Sequence, residues 1–340
     1  MKYLKNIAFV FFIPAIFYSC NRGRLNVDVS NINIGLEIKR LDKSLFELDT
    51  TDIKTGLAEL KKEYGEFFDI FTYKMISIGG ANTPGYYELA KKFITDTMIL
   101  NVKKMVDSEF KDFSETGKSL DNAFRHYKYY FPGKDIPAIY TCISGFNQSV
   151  VVAKNIIGLS LDNYLGPDCL YYSRLGLPQY KQQKMYKGKI AADAMYAWGA
   201  TEFEKKGEGT HLLDYMIHEG KLMYFLDAML PDVHDSVKIG YTKKQLEWCK
   251  DNEAQMWDFL VENKKLYISG RMDIKRIIGD APYTNGFPIE SPGKAGVWVG
   301  WQIVRQFMEK NPDVTLPELM EMEDSQGILN ASAYFPEPRL

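Results

Sequence analysis

The stretch HLLDYMIHEGKLMYFLDAM, residues 211–229, is the part of this 340-residue chain that most constrains its fold. Its apolar residues recur at spacings that cover most of the circumference of a helix. These residues are Leu212, Leu213, Met216, Ile217, Leu222, Met223, Phe225 and Leu226. A helix that is apolar nearly all round is normally buried. We therefore predict a central helix over residues 209–229, enclosed by the rest of the protein.

The same helix carries His218 and Glu219, which match the start of the zinc-protease motif HExxH. In that motif two histidines, four residues apart on one helix face, bind zinc, and the glutamate acts as general base. The second histidine position is occupied here by Leu222, whose side chain cannot bind a metal. His218 and Glu219 are therefore candidate remnants of a catalytic site in a motif that is no longer intact.

A metal ion at His218 would need other ligands. Asp214 lies one helical turn earlier, and Glu253 on a following helix could supply a third ligand, whereas His211 is about 10 Å away along the helix. In this alternative, the three residues hold zinc and Glu219 activates a water molecule. In the structural alternative, which we favour, Asp214 accepts a hydrogen bond from His218, Glu253 caps a helix or pairs with a lysine, and no cofactor is bound.

Glu219 needs a compensating environment if its helix is buried, because an isolated charge in an apolar interior costs several kcal/mol. We expect its carboxylate either to bind a cation such as Arg305 or to lie at a cleft open to water. Such a cleft would suit a peptide or partner, since a former active site is already concave and mixed in polarity.

One short region departs from the helical patterns of the remaining chain. Residues 136–145 and 149–166 are rich in Val, Ile and Tyr and are separated by turn signals, which indicates two or three strands. Residues 36–71 are predicted to be helical, with Ile38 near the start of the helix. No alternation of strands and helices typical of a doubly wound sheet is present. The predicted class is mainly α with a small β element, α+β.

A glycine-rich helix is predicted near the C-terminus, in residues 292–311. Ser291 is a candidate N-cap, with Pro292 as the first helical residue. Gly293, Gly296 and Gly300 do not form a dinucleotide-binding fingerprint, because no strand precedes them at the required distance. We expect these glycines to allow close helix packing.

The N-terminal residues 1–19 have the organisation of a secretory signal, with a basic start, an apolar stretch of about a dozen residues and a small residue before Cys20. We predict cleavage before Cys20 and lipidation of that cysteine by acyl chains, palmitate among them. A plain secretory signal and an uncleaved anchor are the alternatives. Residues 20–35 are polar and predict a tether, and residues 36–340 predict a single domain.

Composition excludes several classes of protein. The formal net charge is −2, with acidic and basic residues mixed along the chain, so we expect no nucleic-acid partner. The four cysteines include no CxxC pair, which argues against a disulfide-stapled scaffold and against a cysteine zinc module.

Three blocks of the sequence resemble the GldB-type gliding-motility lipoproteins of Bacteroidetes, and the likeness extends over nearly the whole mature chain. The blocks are IKRLDKSLFELD at 38–49, YMIHEGKLMYFLDAMLPDVHDSVKIGYTKKQLEWCKDNEAQMW at 215–257 and ESPGKAGVWVGWQIVRQFM at 290–308. The resemblance implies a lipoprotein of the cell envelope that acts with gliding motility and its linked secretion machinery. The HE-containing helix also suggests a distant relation to zincin-like metalloproteases.

This resemblance leads to a more detailed expectation. Residues 36–135 would be a helical part and 136–340 a zincin-like part of one GldB-type domain. The lipid on Cys20 would hold the protein in the outer membrane facing the periplasm, where it would bind envelope proteins of a motility or secretion complex. We expect a non-catalytic factor with a degenerate zincin-like site; the alternative is a metal-dependent peptidase with atypical ligands.

Overall fold

The computed structural model describes residues 24–206 and 210–338, and Cys20 with the predicted signal lies outside them. The helices are α1 Leu41–Ser44, α2 Ile53–Ile70, α3 Tyr86–Thr95, α4 Thr97–Glu109, α5 Ser114–Tyr130, α6 Leu170–Arg174, α7 Gln179–Gln182, α8 Ile190–Glu202, α9 Leu212–Met229, α10 Asp235–Ile239, α11 Lys243–Asp251, α12 Glu253–Glu262, α13 Arg271–Ile278, α14 Ala295–Lys310, α15 Leu316–Glu321 and α16 Ser325–Ser332. Short 3-10 helices occupy Leu45–Glu47, Leu161–Tyr164, Lys187–Lys189 and Lys265–Tyr267, and a π-helical turn occupies Phe71–Met75.

A small four-stranded sheet accompanies these helices, so the predicted class, mainly α with a small β element, is confirmed. The strands are β1 Ile38–Arg40, β2 Ala138–Cys142, β3 Val150–Ala153 and β4 Ile156–Ser160. Their order across the sheet is β1-β2-β4-β3; β1 and β4 run parallel to β2, whereas β3 pairs with β4 as an antiparallel hairpin.

The helix predicted to open at Ile38 is wrong at its start. Ile38–Arg40 forms the edge strand β1, with Ile38 opposite Ile139 in the parallel register. The backbone N–H of Ile139 donates to the carbonyl of Glu37 at 2.9 Å. The first helix therefore begins only at Leu41, and residues 48–52 interrupt the predicted helical stretch before α2. The strand exists because a partner about a hundred positions away supplies the backbone hydrogen bonds, which a local pattern does not show.

The sheet lies between two hydrophobic cores because its side chains alternate between the two faces. Ile139 and Ile157 belong to the larger core, formed mainly with the helices after residue 98. Tyr140 and Ile156, one position away on the same strands, belong to a smaller core with α2 and α3. On that face the ring of Tyr140 stacks on Phe67 with centroids 4.5 Å apart. The N-terminal helices and the rest of the body thus share one sheet.

Helix α9 is the buried centre of the larger core, as its sequence predicts. Fourteen of its 18 residues are buried. It crosses α14 so closely that a Cβ atom on Gly220 would lie 2.3 Å from the carbonyl oxygen of Gly300. A Cβ atom on Gly300 would lie 2.0 Å from the carbonyl oxygen of Met216. The predicted role of Gly300 in close helix packing is confirmed, and Gly220 shares it.

The start of α14 differs from the prediction. The helix begins at Ala295 rather than Pro292, and Lys294 precedes it in the left-handed conformation with φ +53°. The hydroxyl of Thr284 accepts a hydrogen bond from Ala295 N at 2.9 Å and donates to the Pro292 carbonyl at 2.7 Å. The hydroxyl of Thr284, which lies on a different segment, therefore caps this helix. Ser291 does not cap it.

Residues 24–35 differ from the free tether predicted for residues 20–35. The guanidinium of Arg24 donates to the backbone carbonyls of Met308, at 2.9 Å, and of Val314. Val29 is buried. The polar stretch is thus held against the body from Arg24 onward. Within the ranges that the structure describes, no helix has the length and apolar character needed to cross a lipid bilayer.

Candidate functional site

His218 and Glu219 are neighbours in sequence but line two different cavities. Consecutive helical residues point about 100° apart, because a turn holds 3.6 residues. His218 lines a pocket of about 160 Å³ together with Asp214, Lys205 and Lys221, which we call the His218 pocket. Glu219 lines a larger cleft of about 590 Å³, the Glu219 cleft, and the two cavities have no lining residue in common.

The alternative ligand set Asp214, His218 and Glu253 is not brought together. Asp214 shares the His218 pocket, but its carboxylate accepts a hydrogen bond from the backbone N–H of His211 at 2.9 Å, as part of the capping of α9. Glu253 accepts a hydrogen bond from the hydroxyl of Tyr334 at 2.7 Å. Across residues 24–206 and 210–338, no three His, Cys, Asp or Glu side chains are grouped so that they could hold a metal ion. Asp214 thus caps α9, and Glu253 binds the hydroxyl of Tyr334.

The environment of His218 favours the neutral imidazole. Burial, and then the positive charges of Lys221 and Lys205, together lower the pKa of His218 from 6.5 to about 4. Lys221 is held in place by its ammonium group, which donates to the carbonyls of Met320 at 3.1 Å and Met322 at 2.7 Å. The pocket thus contains fixed positive charge next to a neutral histidine.

This environment gives an expected pH dependence of stability. Between pH 6.5 and 4 the unfolded chain binds a proton at His218 and the folded chain does not, so the free energy of unfolding falls as pH is lowered. In His218→Gln, the fall in the free energy of unfolding on lowering the pH should be smaller than in the wild type by on the order of 1–2 kcal/mol. This figure includes a reduction for the partial exposure of the His218 ring. Urea unfolding of both proteins at pH 7.5 and 4.5 measures the difference. If the free energies of unfolding of the wild type and His218→Gln differ by the same amount at both pH values, His218 is not buried in the neutral state.

The Glu219 cleft is formed where several elements meet beside α9. Its walls include the start of α8, residue Glu219 of α9, the end of α13 and the start of α14. Five lysines and three acidic residues line it: Lys181, Lys184, Lys189, Lys238 and Lys294, with Asp193, Glu219 and Asp280. Apolar side chains such as Met185 and Met223 complete the wall. The expectation that Glu219 lies at a cleft is therefore met, and Arg305 binds elsewhere.

Most charges in the Glu219 cleft are paired. The ammonium of Lys184 lies 2.7 Å from the carboxylate of Asp280, and that of Lys189 lies 2.5 Å from Asp193. The Cδ of Lys184 and the Cε of Lys189 lie 3.2 and 3.3 Å from the point that a Cβ would occupy on Gly240. These two side chains therefore converge on one wall of the cleft.

Two tyrosines hold two of the three carboxylates of the cleft. The hydroxyl of Tyr196 donates to Glu219 at 2.7 Å, and that of Tyr164 donates to Asp193 at 3.0 Å. Burial raises the pKa of Glu219, while the hydrogen bond from Tyr196 and the positive charge of Lys294 act in the opposite direction. Glu219 is thus a positioned carboxylate rather than a freely mobile one.

Lys294 and Asn163 are two polar groups of the cleft that lack close partners within the described part of the chain. The ammonium of Lys294 lies 3.9 Å from Asp280, beyond hydrogen-bonding distance. Burial, and then the positive charge of Lys184, lowers the pKa of Lys294 to about 8. Asn163 is only 6% exposed, and its amide nitrogen has no hydrogen-bond partner among the described residues. Both residues line the cleft, and the amide nitrogen of Asn163 is enclosed in its wall.

A buried ionic network lies beneath the cleft. The carboxylate of Asp227 accepts hydrogen bonds from Lys238 at 2.8 Å, from Trp301 at 2.8 Å, and from Arg305 at 2.7 and 2.8 Å. Arg305 also donates to Asp235 at 2.8 and 3.0 Å. The network joins α9, α10 and α14, so it fixes the position of Lys238 at the cleft.

The lysines of this cleft were not identified from the sequence. Lys181 and Lys294 are more than a hundred positions apart, and no motif joins them. Two local signals were available: the i,i+4 pair of Lys189 with Asp193, and a lysine directly before the apolar helix AGVWVGW. Each of these two signals is equally typical of charged residues on an ordinary solvated surface.

Comparison with known proteins identifies a family. A lipoprotein family model described as "Gliding motility protein GldB" matches residues 22–336. The match includes α9, both cavities and the network beneath them. No curated protein and no solved structure matches the chain.

Proposed function

Since this chain belongs to the family of gliding motility protein GldB, we propose that it serves as an envelope lipoprotein of the gliding machinery and its linked secretion apparatus. In this role it binds a partner protein in the Glu219 cleft and catalyses no reaction. The zincin-like ancestry of the helix that carries His218 and Glu219 is part of the same proposal.

The separation of His218 from Glu219 is the observation that favours binding over hydrolysis. Metal-assisted hydrolysis requires the metal ligands and the general base to act on one water molecule. Here His218 and Glu219 line cavities without a shared lining residue, and the position of a second histidine is occupied by the buried Leu222. The Glu219 cleft instead has the size and mixed polarity of a ligand-binding cleft.

Anchoring through Cys20 completes the proposed role. The basic start, the short apolar stretch and the small residue before Cys20 are typical of a lipoprotein signal. More than one acyl chain is needed for stable anchoring, because each buried methylene contributes only about 0.8 kcal/mol. We place the anchored protein in the outer membrane with its body in the periplasm.

Complementation in the source bacterium tests this proposal. Deletion of the gene should abolish surface gliding and secretion by the linked apparatus, and the wild-type gene should restore both. Cys20→Ala should fail to incorporate an alkyne-tagged palmitate and should restore neither, because the protein is no longer held at the membrane. Cys169→Ala, which changes a buried cysteine of the body, is the matched control and should be labelled like the wild type.

Two results would contradict the proposal. A deletion strain that glides and secretes like its parent would exclude the role in motility. Palmitate labelling that persists in Cys20→Ala would exclude lipidation at this residue.

A further inference from the structure

We propose that the Glu219 cleft recognises a carboxylate group on a partly apolar peptide segment of the partner, and that Lys294 pairs with that carboxylate. This inference rests on the proposed partner-binding function and adds the chemistry of recognition. It follows from the charge balance, the available donors and the walls of the cleft.

Lys294 is the partly buried cation of the cleft that lacks a close partner among the described residues, whereas Lys181, the other lysine without a close ion pair, is exposed to solvent. Lys184 and Lys189 are engaged with Asp280 and Asp193 at 2.7 and 2.5 Å. Lys294 lies 3.9 Å from Asp280, and its ammonium donates to no group in the part of the chain that the structure describes. Its side chain is 23% exposed, so it reaches the open space of the cleft. A partly buried ammonium without a hydrogen-bond partner is costly, and an incoming anion reduces that cost.

The charge balance indicates an anion with a single charge. Lys238 is used by the network beneath the cleft, where it pairs with Asp227. The other four lysines of the lining face three carboxylates, so one positive charge is left without a counterpart. One carboxylate neutralises this excess, whereas a phosphate dianion would exceed it. A metal cation would increase it.

A second donor supports the same class of ligand. The amide nitrogen of Asn163 is buried and lacks a partner among the residues described, and Asn163 lines this cleft. A carboxylate accepts hydrogen bonds through both oxygens and donates none. It can therefore satisfy the ammonium of Lys294, and also the amide of Asn163 once that side chain turns from the wall into the cleft. Charge-assisted hydrogen bonds of this kind are the stronger ones in proteins.

The apolar part of the wall identifies the rest of the ligand. Val150, Leu177, Met185, Met223 and Ile278 line the same space as the charged groups. Ligand sites typically combine such apolar walls with a few placed polar groups, in volumes of about 300–1,000 Å³. The cleft falls within this range at about 590 Å³. A short acidic peptide segment with aliphatic side chains fits both parts of the wall.

The probes for this inference are three acetylated tetrapeptides. Ac-Ala-Leu-Ala-Glu-NH₂ carries a side-chain carboxylate, Ac-Ala-Leu-Ala-Leu carries a C-terminal carboxylate, and Ac-Ala-Leu-Ala-Gln-NH₂ carries none. The methyl signals of Met185 and Met223 in ¹³C-methionine-labelled protein report binding in the cleft by NMR. We expect at least one acidic peptide to shift both signals with an affinity at least tenfold above that of the glutamine peptide. The two acidic peptides show whether the partner offers a side chain or a chain end.

Lys294→Met tests the assigned residue. This variant should weaken binding of the acidic peptide at least tenfold and leave the thermal unfolding midpoint unchanged or higher, because a desolvated ammonium is removed. Lys310→Met, at the exposed far end of α14, is the matched control and should bind like the wild type. Equal binding of acidic and glutamine peptides, no shift with any peptide, or full binding by Lys294→Met would each overturn the inference.

The two proposals fail in distinguishable ways. If the gene is required for gliding but no acidic peptide depends on Lys294, the recognition chemistry is wrong and the motility role stands. If Lys294-dependent binding is found and the deletion strain glides normally, the cleft is a real site and the proposed function is wrong.

Discussion

Replacement of Gly300 by alanine is expected to destabilise the protein by at least about 3 kcal/mol, since it forces two packed helices apart. The new Cβ atom would lie 2.0 Å from the carbonyl oxygen and 2.6 Å from the carbonyl carbon of Met216. Both are backbone atoms of α9, so no side-chain rotation relieves the overlap. Separation of α14 from α9 would open the packing around Trp301, which is fully buried.

Gly117→Ala is the matched control for this substitution. Gly117 lies inside α5, and a Cβ atom there would meet only the Cδ1 atom of Ile38 at 3.6 Å, an ordinary contact. Alanine at this position should be neutral or stabilising by roughly 0.5–1 kcal/mol, because glycine costs conformational entropy in a helix. Urea denaturation measures both variants. A Gly300→Ala protein as stable as Gly117→Ala would mean that the two helices are not in backbone contact.

Replacement of Asp227 by alanine is the second change with a large expected effect, about 3–5 kcal/mol. Asp227 is buried and is the acceptor shared by Lys238, Trp301 and Arg305. Its removal leaves Lys238 as a buried cation that is 5% exposed. Within the described ranges, its remaining ion-pair partner is Asp235, which is farther away at 3.7 Å. Removal of one member of a buried ion pair costs more than the pair contributes, because the other charge stays desolvated.

An exposed ion pair provides the comparison for Asp227. Asp273 pairs with Arg276 at 3.1 Å on α13, and both side chains are more than half exposed. Asp273→Ala should change the free energy of unfolding by less than about 1 kcal/mol, as is usual for surface pairs. Both variants are measured under the same conditions. If Asp227→Ala loses no more free energy of unfolding than Asp273→Ala, the network beneath the cleft is solvated.

The network and the glycine contact have a common consequence for function. Both connect α9 to α14, and the start of α14 carries Lys294 while α9 carries Glu219. The two walls of the Glu219 cleft are therefore held at a fixed separation by the backbone contact and by buried charges. A mild defect in either should reduce ligand binding before it unfolds the protein.

Local patterns in the sequence predicted the features that depend on one segment alone. The circumferential apolar pattern of residues 211–229 required burial whatever surrounded it, and α9 is buried. The absence of a side chain at Gly300 is likewise a property of the residue, so close packing could be expected without knowledge of the partner helix. The break of the HExxH motif at Leu222 was also readable directly, because a hydrocarbon side chain cannot bind a metal.

Tertiary structure decided the features that depend on distant segments. Ile38–Arg40 became a strand because β2 supplies its hydrogen bonds, and α14 starts at Ala295 because Thr284 caps it. The side of α9 that faces each cavity, and therefore the separation of His218 from Glu219, is set by the packing of neighbouring helices.

The lysines of the Glu219 cleft show most clearly that a local sequence pattern does not predict a site built from distant segments. Their charges interact through space over a few ångströms, whereas Lys184 and Lys294 are separated by more than a hundred positions in the chain. Burial and mutual distance, which determine whether a charged group is a solvated surface residue or part of a site, exist only after the chain has folded. The sequence by itself thus determined the central helix and the presence of a leucine where HExxH has its second histidine, and the folded structure alone determined the cleft.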